Sequence, residues 1–163
     1  MINITLPDGS IKEFENGINP IGVAKSISEG LARNVISANF NGNTVETTTP
    51  LTSDGSLVLY TFNDAEGKKA FWHSSAHVLA QTILDFHPNA KLTIGPAIDN
   101  GFYYDIDLGD ETISEKDFPA IEKKFLEFAR GKHEFKMRTV SKSDALSLYK
   151  GENNPYKVEL IEN

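Results

Sequence analysis

Cysteine is absent from all 163 residues. That excludes disulfides, thiolate metal ligands and a cysteine nucleophile in this chain, and it suits a reducing compartment, so the expected setting is cytoplasmic. Long apolar runs are missing too. Stretches such as Leu57-Val58-Leu59-Tyr60 fall far short of the roughly 20 residues that cross a bilayer, so no membrane association is expected. The opening Met1-Ile2-Asn3-Ile4-Thr5-Leu6 has neither a basic segment nor an apolar run before a small-residue cleavage site, which argues against a secretory leader. Net positive charge is lacking as well. With 16 Lys+Arg against 23 Asp+Glu the formal charge is −7, which argues against a protein that coats nucleic acid by bulk electrostatics. One stretch runs the other way: Arg130, Lys132, Lys136, Arg138 and Lys142 stand with a single acid, Glu134, a pattern that serves a solvated surface or a phosphate contact. There is no Gly-x-Gly-x-x-Gly, no P-loop and no Gly-x-Ser-x-Gly, so a dinucleotide fold or a serine hydrolase has no support.

Apolar residues, at 39%, and aromatics, at 10%, are present in ordinary amounts, enough for one compact domain or two small ones. Residues 2–6 alternate, Pro7-Asp8-Gly9-Ser10 signals a turn, and Ile11 to Phe14 alternates again, which predicts a β-hairpin. Ile21, Ala24, Ile27 and Leu31 recur at helical spacing, with Pro20 suited to a first turn and Gly30 to an end, giving a helix over about 20–29. Residues 35–40 and 55–62 read as strands. The order ββαββ within 1–62 predicts a mixed sheet grasping one helix, the ubiquitin-like β-grasp. The polar segment 63–69 then marks a domain boundary.

Beyond it, 70–86 reads as a helix, 92–96 and 101–106 as strands joined through Asp99-Asn100-Gly101, and 118–131 as an amphipathic helix. Ser114 to Asp117 resembles a capping box ahead of that helix. Residues 134–140 alternate as a strand, 141–149 form a short helix, and 155–161 a short last element. The second unit, 63–163, is therefore expected to be α+β. Val158, Leu160 and Ile161 close the chain without a turn signal, which leads us to expect a piece of something longer.

The informative motif is Trp72-His73-Ser74-Ser75-Ala76-His77-Val78-Leu79-Ala80-Gln81. Histidines at i and i+4 on a helix share a face, with Cβ atoms about 5–6 Å apart, and small neighbours leave room around them for one ligand. The same spacing serves two histidines that only hydrogen-bond. A metalloprotease would need His-Glu-x-x-His, and Ser74 stands where the glutamate belongs. A third zinc ligand could come from Asp99, Asp105, Asp107, His87 or His133, with no spacing to recommend one. The remaining use is general-base or water-positioning chemistry, because imidazole titrates near working pH. Tyr103 and Tyr104, beside a Gly-rich turn, point to opposite faces of a strand, one available for stacking or half-buried packing.

These residues carry a resemblance. The first 62 residues look like a TGS domain, the β-grasp module of threonyl-tRNA synthetases, certain GTPases and alarmone synthetases. The Trp-His-Ser-Ser-Ala-His-Val-Leu segment, Ile94-Gly-Pro-Ala-Ile-Asp-Asn-Gly-Phe-Tyr-Tyr-Asp105 and Asn154-Pro-Tyr-Lys-Val-Glu-Leu160 are similar, in order along the whole chain, to the N-terminal part of bacterial threonyl-tRNA synthetases. The resemblance implies a TGS domain followed by the start of an α+β editing domain, incomplete at its C-terminus, that hydrolyses serine wrongly esterified to tRNA(Thr). It also implies that His73 and His77 place the attacking water at the tRNA 3′ end, that Lys157 orders a water or the ester, and that Tyr104 flanks the pocket. The family completes this cleft with a Cys-x-x-x-His segment that the present residues do not include, so the expected editing activity of the chain alone is weak or nil. ATP, threonine and a zinc ion are implied for a catalytic core beyond this chain, and a homodimer for the whole enzyme.

Two other readings fit the residues. One is an RNA- or protein-binding β-grasp module without catalysis, for which 1–62 offer three Lys/Arg against six Asp/Glu, discouraging for RNA. The other is a freestanding metal hydrolase using His73 and His77.

Overall fold

The computed structural model describes residues 1–131, 133, 135 and 138–163. Two compact units divide between Trp72 and His73, inside one long helix.

In the first unit, β1 (Ile2–Thr5) and β2 (Ile11–Phe14) form the expected hairpin. Its turn is held by the Asp8 carboxylate, which accepts from the Ser10 N–H and hydroxyl at 2.9 and 2.7 Å. Alternation sorts the strand: Ile2, Ile4 and Leu6 are buried, while Asn3 faces outward. Helix α1 (Pro20–Ile27) starts where Asn19 accepts from Gly22 N and Pro20 presets the first turn. It stops at Ser28, not at Gly30. Ser28 adopts an extended conformation and caps a second short helix, α2 (Glu29–Asn34), by accepting from Leu31 N. A capping hydroxyl here outranks the glycine that follows it, because the glycine's conformational freedom is not needed inside a turn already nucleated.

Strands β3 (Val35–Phe40), β4 (Asn43–Val45) and β5 (Gly55–Thr61) complete a sheet of order β2-β1-β5-β3-β4, in which β1 and β5 run parallel and the other pairs antiparallel. The extra edge strand β4 was hidden in the sequence by its three-residue length. Ile2, Ile4, Leu6, Val23, Ala38, Leu51 and Leu57 form the core, with Phe14, Ile18, Phe40, Val45 and Leu59 packed around it. One helix face on a mixed sheet is the β-grasp arrangement.

Helix α3 (Ala65–Phe86) begins five residues before the expected start at 70, so the polar segment 63–69 supplies its first turns as well as the approach to it. Two contacts explain this. The Asp64 carboxylate accepts from Thr61 N and Oγ1, and its carbonyl from Lys68 N. Gly67 lies so close that a Cβ there would stand 1.8 Å from the Thr61 carbonyl oxygen, so only glycine permits the approach.

In the second unit α3 buries Ala76, Ala80 and Ile83 at helical spacing. Strands β6 (Lys91–Leu92) and β9 (Ile106–Asp107) pair antiparallel, as do β7 (Ala97–Ile98) and β8 (Gly101–Phe102) across a two-residue turn. These ladders are shorter than the expected strands 92–96 and 101–106, and the second expected strand is divided between β8 and β9, which pair with different partners. Ile83, Ala90 and Ile121 make a small core with Leu79, Leu84, Ile106, Leu108 and Ile113.

Helix α4 (Phe118–Arg130) follows the expected stripe but buries only Ile121, and Phe118 is half exposed. Ser114 hydrogen-bonds the Asp117 carboxylate through its N–H and hydroxyl, half of the expected box. The strand expected over 134–140 lies partly outside the described residues, as does much of the basic run. The described residues 135 and 138–140 carry no regular structure. Helix α5 (Lys142–Gly151) is capped by Ser141, and α6 (Pro155–Glu162) by Asn154. Among the described residues no helix is long and apolar enough to cross a membrane.

Candidate active site

Helix α3 sets His73 and His77 one turn apart, and the two rings meet edge to face with centroids 4.6 Å apart. Their Nε2 atoms are 3.1 Å apart, a hydrogen-bond distance. One Nε2 must carry the proton and the other must offer a lone pair, so at least one ring of the bonded pair is neutral. His77 is held below the usual imidazole range, first by burial, then by the charge of His73, then by that of Lys157. His77 is thus a ring that resists a second proton. Phe135 stands beside it, with ring centroids 6.3 Å apart.

Lys157 comes from the first turn of α6, whose entry into helix is set by Asn154 and Pro155. Partial burial lowers its pKa from the ordinary lysine value. The structure therefore brings three of the four sequence-chosen residues into electrostatic contact. Tyr104 is placed by different neighbours. Its ring lies over Gly95, where a Cβ would come within 2.3 Å of it, and burial followed by Tyr149 raises its phenol pKa. Tyr103 is the exposed partner. Of the five further candidate metal donors, Asp107 instead accepts a hydrogen bond from Tyr156 at 2.7 Å, and His87 pairs with Glu111.

Two consequences are measurable. The unfolded chain protonates His77 near pH 6.5, while the folded chain resists until lower pH, so His77 makes stability fall as pH drops below about 6.5. Urea midpoints at pH 7.5 and 5.5 should separate more in the native chain than in His77→Gln, and equal separations would contradict the placement. Separately, Gly95→Ala should push the Tyr104 ring off its seat at a cost of about 1–3 kcal/mol. The check is the Tyr104 titration by NMR, which should move back toward 10 as burial is lost.

A helix gripped by a mixed five-stranded sheet defines the first unit as a ubiquitin-like β-grasp domain, and the TGS domain family matches residues 2–61. Over its whole length the chain is similar to threonine–tRNA ligases: 68% identical to that of Flavobacterium psychrophilum and 65% to that of Flavobacterium johnsoniae, each across 163 residues, all of this chain and 25% of the relative. The ligase of Bacteroides thetaiotaomicron is 46% identical over 161 residues, 99% of this chain and 25% of its own. The chain thus spans about a quarter of the length of these relatives, at their N-terminal end.

Asn154 stands in the sequence analysis only as the first residue of the segment that runs to Leu160, with no role of its own. Its signal was present, an asparagine directly before Pro155, which is a helix start in two residues. Phe135 carried no signal at all.

Proposed function

We propose that this chain works as the N-terminal region of an ATP-dependent threonine–tRNA ligase, with residues 1–62 as the TGS domain and 63–163 as the first part of an editing domain. That editing domain hydrolyses seryl-tRNA(Thr). The observation that carries the reading is the bonded His73–His77 pair with the Lys157 charge felt at His77. His77 exchanges its bond with His73 for one with a water, which donates a proton to His77 Nε2 as its oxygen bonds to the ester carbonyl carbon. The carbonyl oxygen, gaining charge, is stabilised by the Lys157 ammonium; the ester C–O bond then breaks and the ribose oxygen takes the proton back from His77. Tyr104 flanks the pocket.

Such a second site has a physical reason. Serine lacks one methyl group of threonine, and a methyl gives a binding pocket only about 1–3 kcal/mol of discrimination. Hydrolysis after charging supplies the rest.

Zinc, ATP and threonine belong on this reading to the portion of the relatives that this chain does not span, and the whole protein works as a cytoplasmic homodimer on tRNA(Thr). The described residues do not suit a zinc ion. No group of three His, Asp or Glu converges among them. The test is deacylation of preformed Ser-tRNA(Thr) and Thr-tRNA(Thr) by the protein at the length of its relatives. Selective loss of the serine ester supports the reading, and equal hydrolysis of both or of neither overturns it.

A further inference from the structure

Lysine side chains are long, and a lysine that acts on one water or one ester needs its backbone held. Asn154 is among the few buried polar residues of the described chain, at 8% exposure, and both ends of its amide are used. Its Oδ1 accepts from the backbone N–H of Lys157 at 3.1 Å, and its Nδ2 donates to the Leu92 carbonyl at 3.1 Å. Asn153, at φ 49°, makes the turn out of α5 that aims Asn154 inward. Leu92 belongs to β6, whose ladder with β9 continues through Thr93 N to the Asp105 carbonyl and Asp105 N to the Ile94 carbonyl. Tyr104 sits in that same hairpin, on Gly95.

We infer that Asn154 is a positioning residue for Lys157, its amide bridging the β6 carbonyl of Leu92 to the backbone N–H of Lys157 and so setting the lysine against the hairpin that carries Tyr104. The inference rests on the proposed hydrolytic role of Lys157. It is more than helix capping, because a cap needs only the Oδ1 acceptor, which serine or aspartate also provides. The amide N–H to Leu92 is the part that capping does not require. Two neighbouring ties support the same corner: Tyr156 donates to Asp107 at 2.7 Å, and Lys91 Nζ to the Glu152 carbonyl at 3.3 Å. Neither acts on Lys157 itself. Asn154 alone among these three bonds the lysine's own backbone.

Asn154→Ser separates the two roles, since serine caps comparably but has no amide to reach Leu92. In the chain as it stands, NMR titrations of Lys157 and His77 are followed together with amide exchange across α6. The expected result is that α6 stays protected while the Lys157 pKa rises toward 10.5 and that of His77 toward 6.5, because the lysine leaves its half-buried place. His73 and Lys157 are the charged groups acting on His77, so His73→Gln in the same background shows which of them has moved. Unchanged titrations overturn the bridge. Loss of α6 protection also overturns it, since Asn154 would then matter only to helix formation. These readouts need no tRNA: an inert His77→Ala effect on hydrolysis would remove the functional reading and leave the bridge, and unchanged titrations would do the reverse.

Discussion

Replacing His77 by alanine, in the protein at the length of its relatives, is expected to lower the rate of Ser-tRNA(Thr) hydrolysis by about 10²- to 10⁴-fold, the usual contribution of a positioned general base. The reason lies in the pair. His77 is the ring whose protonation is opposed first by burial, then by His73 and Lys157, so it is able to take up a proton from a water at neutral pH. His73 bonds it through Nε2 at 3.1 Å and orients it. His73→Ala should therefore cost less than His77→Ala, and the double variant little more than His77→Ala alone, because groups that act as a unit are not additive. Charging with threonine should persist in all three. The measurement is single-turnover deacylation of preformed Ser-tRNA(Thr), and a double variant within about tenfold of the native rate would remove the histidines from the mechanism. The acid limb of the native rate should fall below pH 6.5, since protonation of a depressed His77 is what removes the base.

The largest effect on stability is expected at Leu57→Ala, about 2–5 kcal/mol. Leu57 is fully buried on β5, the middle strand of the five, in one core with Ile4, Val23, Ala38 and Leu51. Removing it leaves a cavity that neighbours from both sides of the sheet order must fill. A domain of about 60 residues holds little stability in reserve, so the first unit should be largely unfolded or close to it. Ile11→Ala is the control: Ile11 is 65% exposed on the edge strand β2, and its loss should cost no more than about 0.5 kcal/mol. Amide exchange of the β5 N–H groups reads both. Equal protection in the two variants would mean that the core is not centred where the structure puts it.

Most of the first unit was legible in the residues. Ile2, Ile4 and Leu6 alternate with polar neighbours, and Pro7-Asp8-Gly9-Ser10 can hardly be anything but a turn, so the hairpin follows from period and turn chemistry. The break between α1 and α2 was not legible. Ser28 and Gly30 both signal an interruption, and which one acts depends on whether the serine hydroxyl reaches Leu31 N. The early start of α3 was hidden for a similar reason. Residues 63–69 are polar and read as a linker until Asp64 bonds back to Thr61 and Gly67 packs on the Thr61 carbonyl, a contact between residues six apart that no periodicity reports.

The candidate site divides in the same way. A spacing of four on a helix is enough to place His73 and His77 together, because helix geometry is local and needs no partner. The resemblance along the chain supplied Lys157 and Tyr104, and spacing could not have done so, since each lies more than 25 residues from the histidines. Three things were decided only by tertiary structure: that His77 resists a second proton, that Lys157 is near enough to influence it, and that Asn154 ties α6 to β6. The physical reason is range. Turns, caps and helix faces are set by neighbours within about four residues, whereas burial and the charge felt by a ring depend on segments that only folding brings together.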